Sequence, residues 1–127
     1  MSSLHVVMVE DNELNAELAR DLLELAGHQV TLACDAAAFR ELVGRVRADI
    51  FLFDLLLPDG DGRELLRDVR ARAQLDAVPA VALTAQALSG DAERLLADGF
   101  DAVLNKPIDT RSFAQAVVHL AAAGRRR

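Results

Sequence analysis

The chain of 127 residues contains no tryptophan, no tyrosine and a single cysteine, Cys34. One cysteine cannot form an internal disulfide, so the fold does not rely on an oxidising compartment. Hydrophobic residues make up 52% of the sequence but include only five phenylalanines. The interior must therefore be built mainly from alanine, leucine and valine, and side chains of this kind suit the packing of helices on a sheet.

Long apolar runs and basic clusters are also scarce. No apolar stretch approaches the length of a membrane span and no signal-peptide core is visible, so we expect a cytoplasmic protein without membrane contact. The formal net charge of −6 argues against a nucleic-acid surface, because phosphate backbones bind basic patches. The length fits one domain, with a core over about residues 4–122 and a solvated basic tail over residues 123–127.

One stretch organises the rest of the chain. The apolar run from Ile50 to Phe53 ends in Asp54 and is followed by a turn rich in proline and glycine, up to Gly62. An apolar run without alternation is typical of a parallel strand covered on both faces. Asp54 would then lie at the carboxyl end of the strand, where open α/β sheets bind their ligands. The plainer interpretation of Asp54, taken alone, is a residue that begins a turn.

Strands and helices alternate along the whole chain. We expect strands at Leu4–Val9, Gln29–Ala33, Ile50–Asp54, Pro79–Thr84 and Asp101–Leu104. Helices are expected from Asn12 to Gly27, from Asp35 past Val46, from the end of the turn at Gly62 through about Arg72, at Asp91–Asp98, and from Asp109 or Thr110 onward. In the last helix the residues expected to face inward are Phe113, Val117, Val118 and Leu120. Five βα units predict a doubly wound parallel sheet, with helices on both faces and the strand order 2-1-3-4-5.

The carboxyl ends of parallel strands meet at one edge, so the polar residues that follow these strands should gather there. They are Glu10, Asp11, Asp54, Thr84 and Lys106. Clustered carboxylates repel one another, so a cation should be bound among them. Oxygen ligands without histidine or cysteine favour Mg²⁺. Together with Lys106 and Thr84, this set is suited to phosphoryl transfer onto Asp54.

Four motifs at these spacings identify a family resemblance. They are Val9-Glu10-Asp11-Asn12, Asp54 to Gly62, Leu83-Thr84-Ala85 and Lys106-Pro107-Ile108. Over essentially its whole length the chain resembles the receiver domains of two-component response regulators, which have a flavodoxin-like fold. Its opening resembles single-domain regulators of the DivK type and the receivers of hybrid kinases.

The resemblance implies a role for each matching residue. Asp54 would be the phosphoacceptor, and Thr84, Lys106 and the backbone N–H of Ala85 would hold the phosphoryl group. The Mg²⁺ ligands would be Asp11, Asp54 and the Leu56 carbonyl, with Glu10 binding through water. Pro107 would follow a cis peptide bond. The phosphodonor would be a histidine kinase or a histidine phosphotransfer protein, and output would pass to a downstream protein from a monomer or weak dimer.

Two features of the sequence bear on how far the properties of the family apply to this chain. Val103 stands where receivers often carry an aromatic switch residue, which places a switch by aromatic rotation in doubt. Leu56 and Gln86 flank the path of a hydrolytic water, and the apolar Leu56 cannot orient water, so we expect a fairly long-lived phosphoryl group. The leucines of the first helix are expected to be mostly core, and those nearest the site, such as Leu14 with Asn15, are a candidate docking site for a partner helix.

Two other functions remain open at this point. An aspartyl-nucleophile phosphohydrolase would need a second aspartate two residues after Asp54, where Leu56 stands, and a cap that the chain is too short to supply. A binding module independent of phosphorylation would leave the acidic set without a role. The favoured expectation is a signalling switch that catalyses only its own phosphorylation and slow dephosphorylation. Asp59 and Asp61 are expected to be turn residues rather than a Ca²⁺ site.

Overall fold

The molecule is built on a central parallel sheet, and the predicted site residues lie at the carboxyl ends of its strands. The structure is a computed structural model that describes residues 3–85 and 91–125, so Gln86 and the tail residues Arg126 and Arg127 lie outside the described residues. The strands are β1 (His5–Val9), β2 (Gln29–Ala33), β3 (Ile50–Asp54), β4 (Ala80–Thr84) and β5 (Ala102–Asn105). Their order in the sheet is β2-β1-β3-β4-β5, all parallel, as the sequence predicted.

The register of the sheet aligns the strand ends that the site needs. Val9 pairs with Ala33 on one side and with Phe53 on the other, and Asp54 pairs with Leu83. Every residue of β3 and β4 is buried, because helices cover both faces of these central strands. The residues that follow β1, β3, β4 and β5 therefore emerge side by side at one edge.

Five helices cover the two faces of the sheet. They are α1 (Glu13–Leu25), α2 (Ala36–Leu42), α3 (Gly62–Arg70), α4 (Asp91–Asp98) and α5 (Phe113–Ala123). Asn12 caps α1 by accepting a hydrogen bond from the Asn15 N–H, and Asp35 caps α2 by accepting one from the Ala38 N–H. Gly27 follows α1 with a φ of 94°, a conformation that favours glycine.

Two apolar layers hold the helices to the sheet. One is centred on three aromatic rings, Phe39, Phe51 and Phe53, of which Phe39 meets the other two edge to face at 5.8 and 5.2 Å. The opposite layer packs α1 and α5 on the sheet through smaller aliphatic side chains, with Leu23 and Val117 fully buried. No helix in the described part of the chain has the length and apolar character needed to cross a bilayer.

The leucines of α1 differ from the expectation that they are mostly core. Leu14 and Leu25 are 77% and 89% exposed, and the fully buried positions are Ala19 and Leu23. The face toward the sheet therefore includes an alanine, which allows the helix backbone to approach the strands closely. The leucine repeat marks a neighbouring stripe, only part of which is covered.

The last helix begins later than the sequence indicated. Asp109 organises the preceding turn by accepting a hydrogen bond from the Arg111 N–H, while the helix itself begins at Phe113 after Ser112. Val118 is 39% exposed, although it was expected to face inward. The helix ends shift elsewhere by a few residues, and α3 stops at Arg70 rather than at Arg72.

The loop after β3 contains structure that the sequence did not predict. Leu56–Leu57 pairs with Gly60–Asp61 in a two-residue antiparallel ladder, so the turn is a small hairpin. At its end Gly62 begins α3 against the backbone of Asp54, where an added Cβ would lie 2.5 Å from the Asp54 carbonyl oxygen. Glycine is required at this position by close approach, and the loop is thereby held to the end of β3.

The opposite edge of the sheet carries a saturated ion cluster. The carboxylate of Asp101, 5% exposed, accepts hydrogen bonds from Arg70 at 2.9 Å, Arg125 at 3.2 Å and the Ala80 N–H at 2.9 Å. Arg125 also contacts Asp76. This cluster ties the starts of β4 and β5 to the ends of α3 and α5.

Candidate functional site

The candidate site is a cavity of about 410 Å³ at the carboxyl edge of the sheet. Its walls come from the segments that follow β1, β3, β4 and β5 and from the start of α3. The lining residues are Glu10, Asp11, Asn12, Asn15, Asp54, Leu55, Leu56, Arg63, Thr84, Ala85 and Lys106. All seven positions predicted for the site are therefore brought together, although they span almost a hundred residues of sequence.

Three carboxylates converge in this cavity. One oxygen each from Glu10, Asp11 and Asp54 lies within 4.8 Å of the others. Glu10 and Asp54 are buried, and Asp11 is exposed at the cavity mouth. The strand register explains the arrangement, since Glu10 and Asp54 directly follow the paired residues Val9 and Phe53.

Lys106 is the cation within this acidic group. Its Nζ lies 2.6 Å from Glu10 Oε1 and 3.2 Å from Asp54 Oδ2. The Lys106 N–H donates to the Thr84 carbonyl at 2.9 Å, which holds the start of the loop after β5 beside the end of β4. The peptide bond between Lys106 and Pro107 is cis, as the resemblance implied. One lysine thus faces three carboxylates, which leaves the cluster with an excess of negative charge.

The two buried carboxyl groups have pKa values shifted in opposite directions. The pKa of Glu10 is raised to about 7, mainly by burial and then by its hydrogen bond with Asp54, while Lys106 opposes the rise. Burial also acts to raise the pKa of Asp54, but the hydrogen bond from Glu10 and the charge of Lys106 outweigh it and hold that pKa below its usual range. In the metal-free protein near neutral pH, Asp54 is therefore the ionised member of the pair, and Glu10 is the member that takes up a proton as the pH falls through about 7.

Lys106 stays charged in spite of its burial. Burial acts to lower its pKa, but the hydrogen bonds and charges of Glu10 and Asp54 raise it above the ordinary value. A fixed cation beside an ionised carboxylate can stabilise negative charge that arrives on a bound group. The cluster therefore combines a carboxylate that can act as a nucleophile with a cation that can bind an anionic group.

The remaining predicted residues line the same cavity. Thr84 is buried as the last residue of β4, and Ala85 follows it at the surface. Leu56 is 74% exposed at the mouth, and its N–H donates to Asp54 Oδ1 at 3.3 Å. Of the two aspartates assigned to the turn, Asp61 caps α3, and Asp59 accepts hydrogen bonds from the Ala36 and Ala37 N–H groups at the start of α2. Neither is part of the carboxylate cluster.

Comparison with known proteins places the chain in a family. The family model for the response regulator receiver domain matches residues 6–118. The chain belongs to this family. It is a receiver domain of the kind that two-component signalling systems use, and the resemblance drawn from its four motifs is confirmed.

Two relatives above 30% identity illustrate the match. The polar-differentiation response regulator DivK of Brucella anthropi is 35% identical over 112 residues, which span 88% of this chain and 91% of DivK. The receiver domain of a sensor histidine kinase from Pseudomonas aeruginosa is 32% identical, with a TM-score of 0.84 over 95% of this chain and 99% of that domain. Its structure has a magnesium ion coordinated in the active-site cleft.

A more distant structure confirms the fold of this receiver domain. A chemotaxis response regulator of Vibrio cholerae superposes with a TM-score of 0.87 over 94% of this chain and 99% of that protein. The sequences are 22% identical, so this likeness concerns the fold alone.

Arg63 is a site residue that sequence reasoning missed. It is the second residue of α3, and it lines the cavity together with Asp54 and Lys106. The sequence carried one signal for it, because a basic residue directly follows the turn glycine Gly62, close after the strand end that bears Asp54. The turn geometry that brings it to the cavity was not apparent from spacing alone.

Proposed function

We propose that Asp54 is the phosphoacceptor of this receiver domain and that a phosphohistidine on a kinase or phosphotransfer protein is the donor. An oxygen of the Asp54 carboxylate attacks phosphorus, the P–N bond breaks, and the imidazole nitrogen leaves with the electron pair and takes up a proton. The observation that carries the proposal is the cluster itself, in which an ionised, buried Asp54 lies 3.2 Å from a charged Lys106.

The residues around Asp54 have separate tasks in this proposal. Lys106 moves its ion pair from Asp54 to the oxygens of the arriving phosphoryl group. The Thr84 hydroxyl and the Ala85 N–H, at the end of β4, donate to the remaining oxygens. The Leu56 N–H, which contacts Asp54 Oδ1 at 3.3 Å, keeps the carboxylate oriented. Release of the phosphoryl group to water is slow because the side chain of Leu56 cannot position a water.

A divalent cation fits the donor set of this cluster. Three carboxylates and one lysine leave a negative excess, and the donors are all oxygens, which hard cations such as Mg²⁺ prefer. In the proposal Asp11, Asp54 and the Leu56 carbonyl hold Mg²⁺ directly, and Glu10 holds it through a water. When bound, Mg²⁺ neutralises the charge that accumulates between the acceptor and the phosphoryl group.

The domain's own chemistry is limited to its phosphorylation and dephosphorylation. The cavity lining includes exposed residues, Asp11 and Leu56, which supports a site that a phosphodonor protein can reach. Output is then transmitted through contacts with a downstream protein.

Incubation with acetyl phosphate and Mg²⁺, followed by intact-mass analysis, tests the assignment. The wild-type protein should gain the mass of one phosphoryl group, and Asp54→Asn should gain none. Asp59→Asn is the matched control, because Asp59 belongs to the same loop but accepts hydrogen bonds from α2 instead of lining the cavity. Phosphorylation of the Asp54→Asn protein would overturn the assignment.

The ligand set has its own measurement. Calorimetric titration of the wild-type protein should show one Mg²⁺ site, and Asp11→Asn should weaken it at least tenfold, an effect typical of the loss of one charged ligand interaction of about 1.5–3 kcal/mol. Unchanged Mg²⁺ affinity in Asp11→Asn would show that the cation binds elsewhere.

A further inference from the structure

Arg63 connects the phosphorylation cavity to helix α4. Its Nε lies 3.1 Å from Asp98 Oδ2, and its Nη1 lies 3.3 Å from Asp61 Oδ2. Asp61 belongs to the loop that follows the acceptor, whereas Asp98 is the last residue of α4. One guanidinium therefore bridges the loop of the site and a helix on the surface of the domain.

The position of Asp98 makes α4 depend on this contact. An acidic residue at the carboxyl end of a helix is unfavourable with the helix dipole, and the last turn of α4 contains no basic residue. Leu95 is the buried residue of α4, so few apolar contacts hold this helix. Among the ion pairs of the described residues, the contact between Arg63 and Asp98 is the one that reaches α4.

The same arginine lines the cavity in which Asp54 would carry its phosphoryl group. Arg63 and Asp98 have side chains that are 37% and 46% exposed, and ion pairs of this exposure are weak. A phosphoryl group adds negative charge and oxygens that match the fork of a guanidinium. A group bound to Asp54 would therefore compete with Asp98 for Arg63.

We propose that Arg63 is a further phosphoryl-binding residue and that its transfer from Asp98 to the phosphoryl group releases the carboxyl end of α4. The inference rests on the proposed phosphorylation of Asp54 and specifies how that event changes the surface. Coupling of this kind is reciprocal, so the state of Asp98 also sets how tightly the cavity binds a phosphoryl group. Asp98 acts against phosphorylation, and phosphorylation acts against the order of α4.

Hydrogen exchange of the peptide that covers α4 provides the first measurement. Phosphorylation of the wild-type protein should raise its amide exchange about two- to fivefold, the factor that corresponds to the loss of one exposed ion pair. In Asp98→Asn, which lacks the ion pair that phosphorylation is expected to break, phosphorylation should not raise the exchange of α4 further. In Arg63→Met exchange should be raised in both states, and Arg63→Lys should restore part of the response.

Binding of beryllofluoride, a mimic of the phosphoryl group, provides the second measurement and can be followed by ¹⁹F NMR in the presence of Mg²⁺. Asp98→Asn should bind it about two- to fivefold more tightly than the wild type, since Arg63 no longer has a competing partner. Arg63→Met should bind it more weakly, and Asp98→Asn should have no further effect in the Arg63→Met background. A purely structural ion pair would change α4 without changing this affinity.

Asp68→Asn is the matched control, because Asp68, which belongs to α3 as Arg63 does, forms an ion pair of similar exposure with Arg40 of α2 and does not line the cavity. It should change neither measurement. Phosphorylated protein with unchanged exchange in α4, or Asp98→Asn with wild-type affinity for beryllofluoride, would overturn the inference alone. Failure of the wild-type protein to accept a phosphoryl group would overturn the proposed function and, with it, the inference.

Discussion

The two edges of the sheet both contain buried charge, and they treat it in opposite ways. At the amino edge Asp101 is surrounded by two arginines and a backbone N–H, and with Asp76 the cluster has two positive and two negative side chains. At the carboxyl edge three carboxylates share a single lysine. Asp101 and Asp54 are similarly buried, at 5% and 9% side-chain exposure, so burial does not separate them. The two clusters differ in charge balance, and this difference distinguishes a structural cluster from a binding site.

The largest expected effect comes from breaking the balanced edge. Asp101→Ala removes the carboxylate that Arg70, Arg125 and the Ala80 N–H share, and loss of one partner of a buried ion pair costs about 3–5 kcal/mol. Urea denaturation should show this loss of unfolding free energy. At temperatures where the variant remains folded it should still accept a phosphoryl group from acetyl phosphate. Loss of phosphorylation in the folded variant would show that the two edges are not independent.

Removing a negative charge at the carboxyl edge should instead increase the free energy of unfolding. Asp54→Asn removes one of the surplus negative charges, while Lys106 keeps its contact with Glu10. At pH 8, where Glu10 is largely ionised, we expect the metal-free variant to be more stable than the metal-free wild type by about 1–2 kcal/mol, because repulsion between the buried carboxylates is relieved. The measurement is urea denaturation in the presence of a chelator. A destabilised Asp54→Asn protein would mean that the cluster at rest is already balanced.

The stability of the metal-free protein should also depend on pH, as a smaller effect of the same buried carboxyl groups. Burial raises the pKa of Glu10 to about 7 in the folded protein, from an ordinary value of 4.5. Because the folded state holds this proton more tightly than the unfolded state, its contribution to stability is complete below about pH 4.5 and is lost as the pH rises to about 7.

Thermal unfolding between pH 5 and pH 8 in a chelator checks this prediction, with Glu10→Gln as the control that should remove that part of the slope. Excess Mg²⁺ should also reduce the slope, since a bound cation favours the ionised form of Glu10. A rise in melting temperature over this range in the wild type, with no change in Glu10→Gln, would contradict the assigned protonation.

The fold was predictable because each strand end carries a local signal. The alternation of strands and helices predicted a doubly wound parallel sheet, and the strand order common in such sheets brought Glu10 and Asp54 together. Side-chain orientation was less predictable. The leucines of α1 repeat at helical spacing, yet the fully buried positions include Ala19, since the helix has to approach the sheet closely.

Contacts between segments that are far apart in the sequence could not be predicted from the spacing of residues. Arg63 reaches Asp98 across 35 positions, and Asp59 accepts a hydrogen bond from the start of a helix that begins 23 positions earlier in the chain. Such contacts depend on how a turn is folded in three dimensions, and the turn after β3 proved to be a hairpin. The contacts of Arg63 and Asp59 that hold the candidate site to its surroundings were therefore not predicted from the sequence.

Asp59 gives the smallest expected effect and sharpens the contrast within the carboxyl edge itself. Its carboxylate accepts hydrogen bonds from the Ala36 and Ala37 N–H groups at 2.9 and 3.0 Å, and these bonds hold its pKa below the usual value of 3.8. Its contribution to stability is therefore present above about pH 3.8 and is lost as the pH falls through its lowered pKa. Asp59→Asn should lower the melting temperature slightly at pH 7, with a smaller difference toward pH 3, and should leave phosphorylation of Asp54 intact.

A neutral amide accepts the helix hydrogen bonds less strongly than a carboxylate, so the Asp59→Asn variant measures what the charge adds to these hydrogen bonds. An Asp59→Asn protein with weakened Mg²⁺ binding would place this aspartate with the surplus carboxylates of the site instead of with the structural ones.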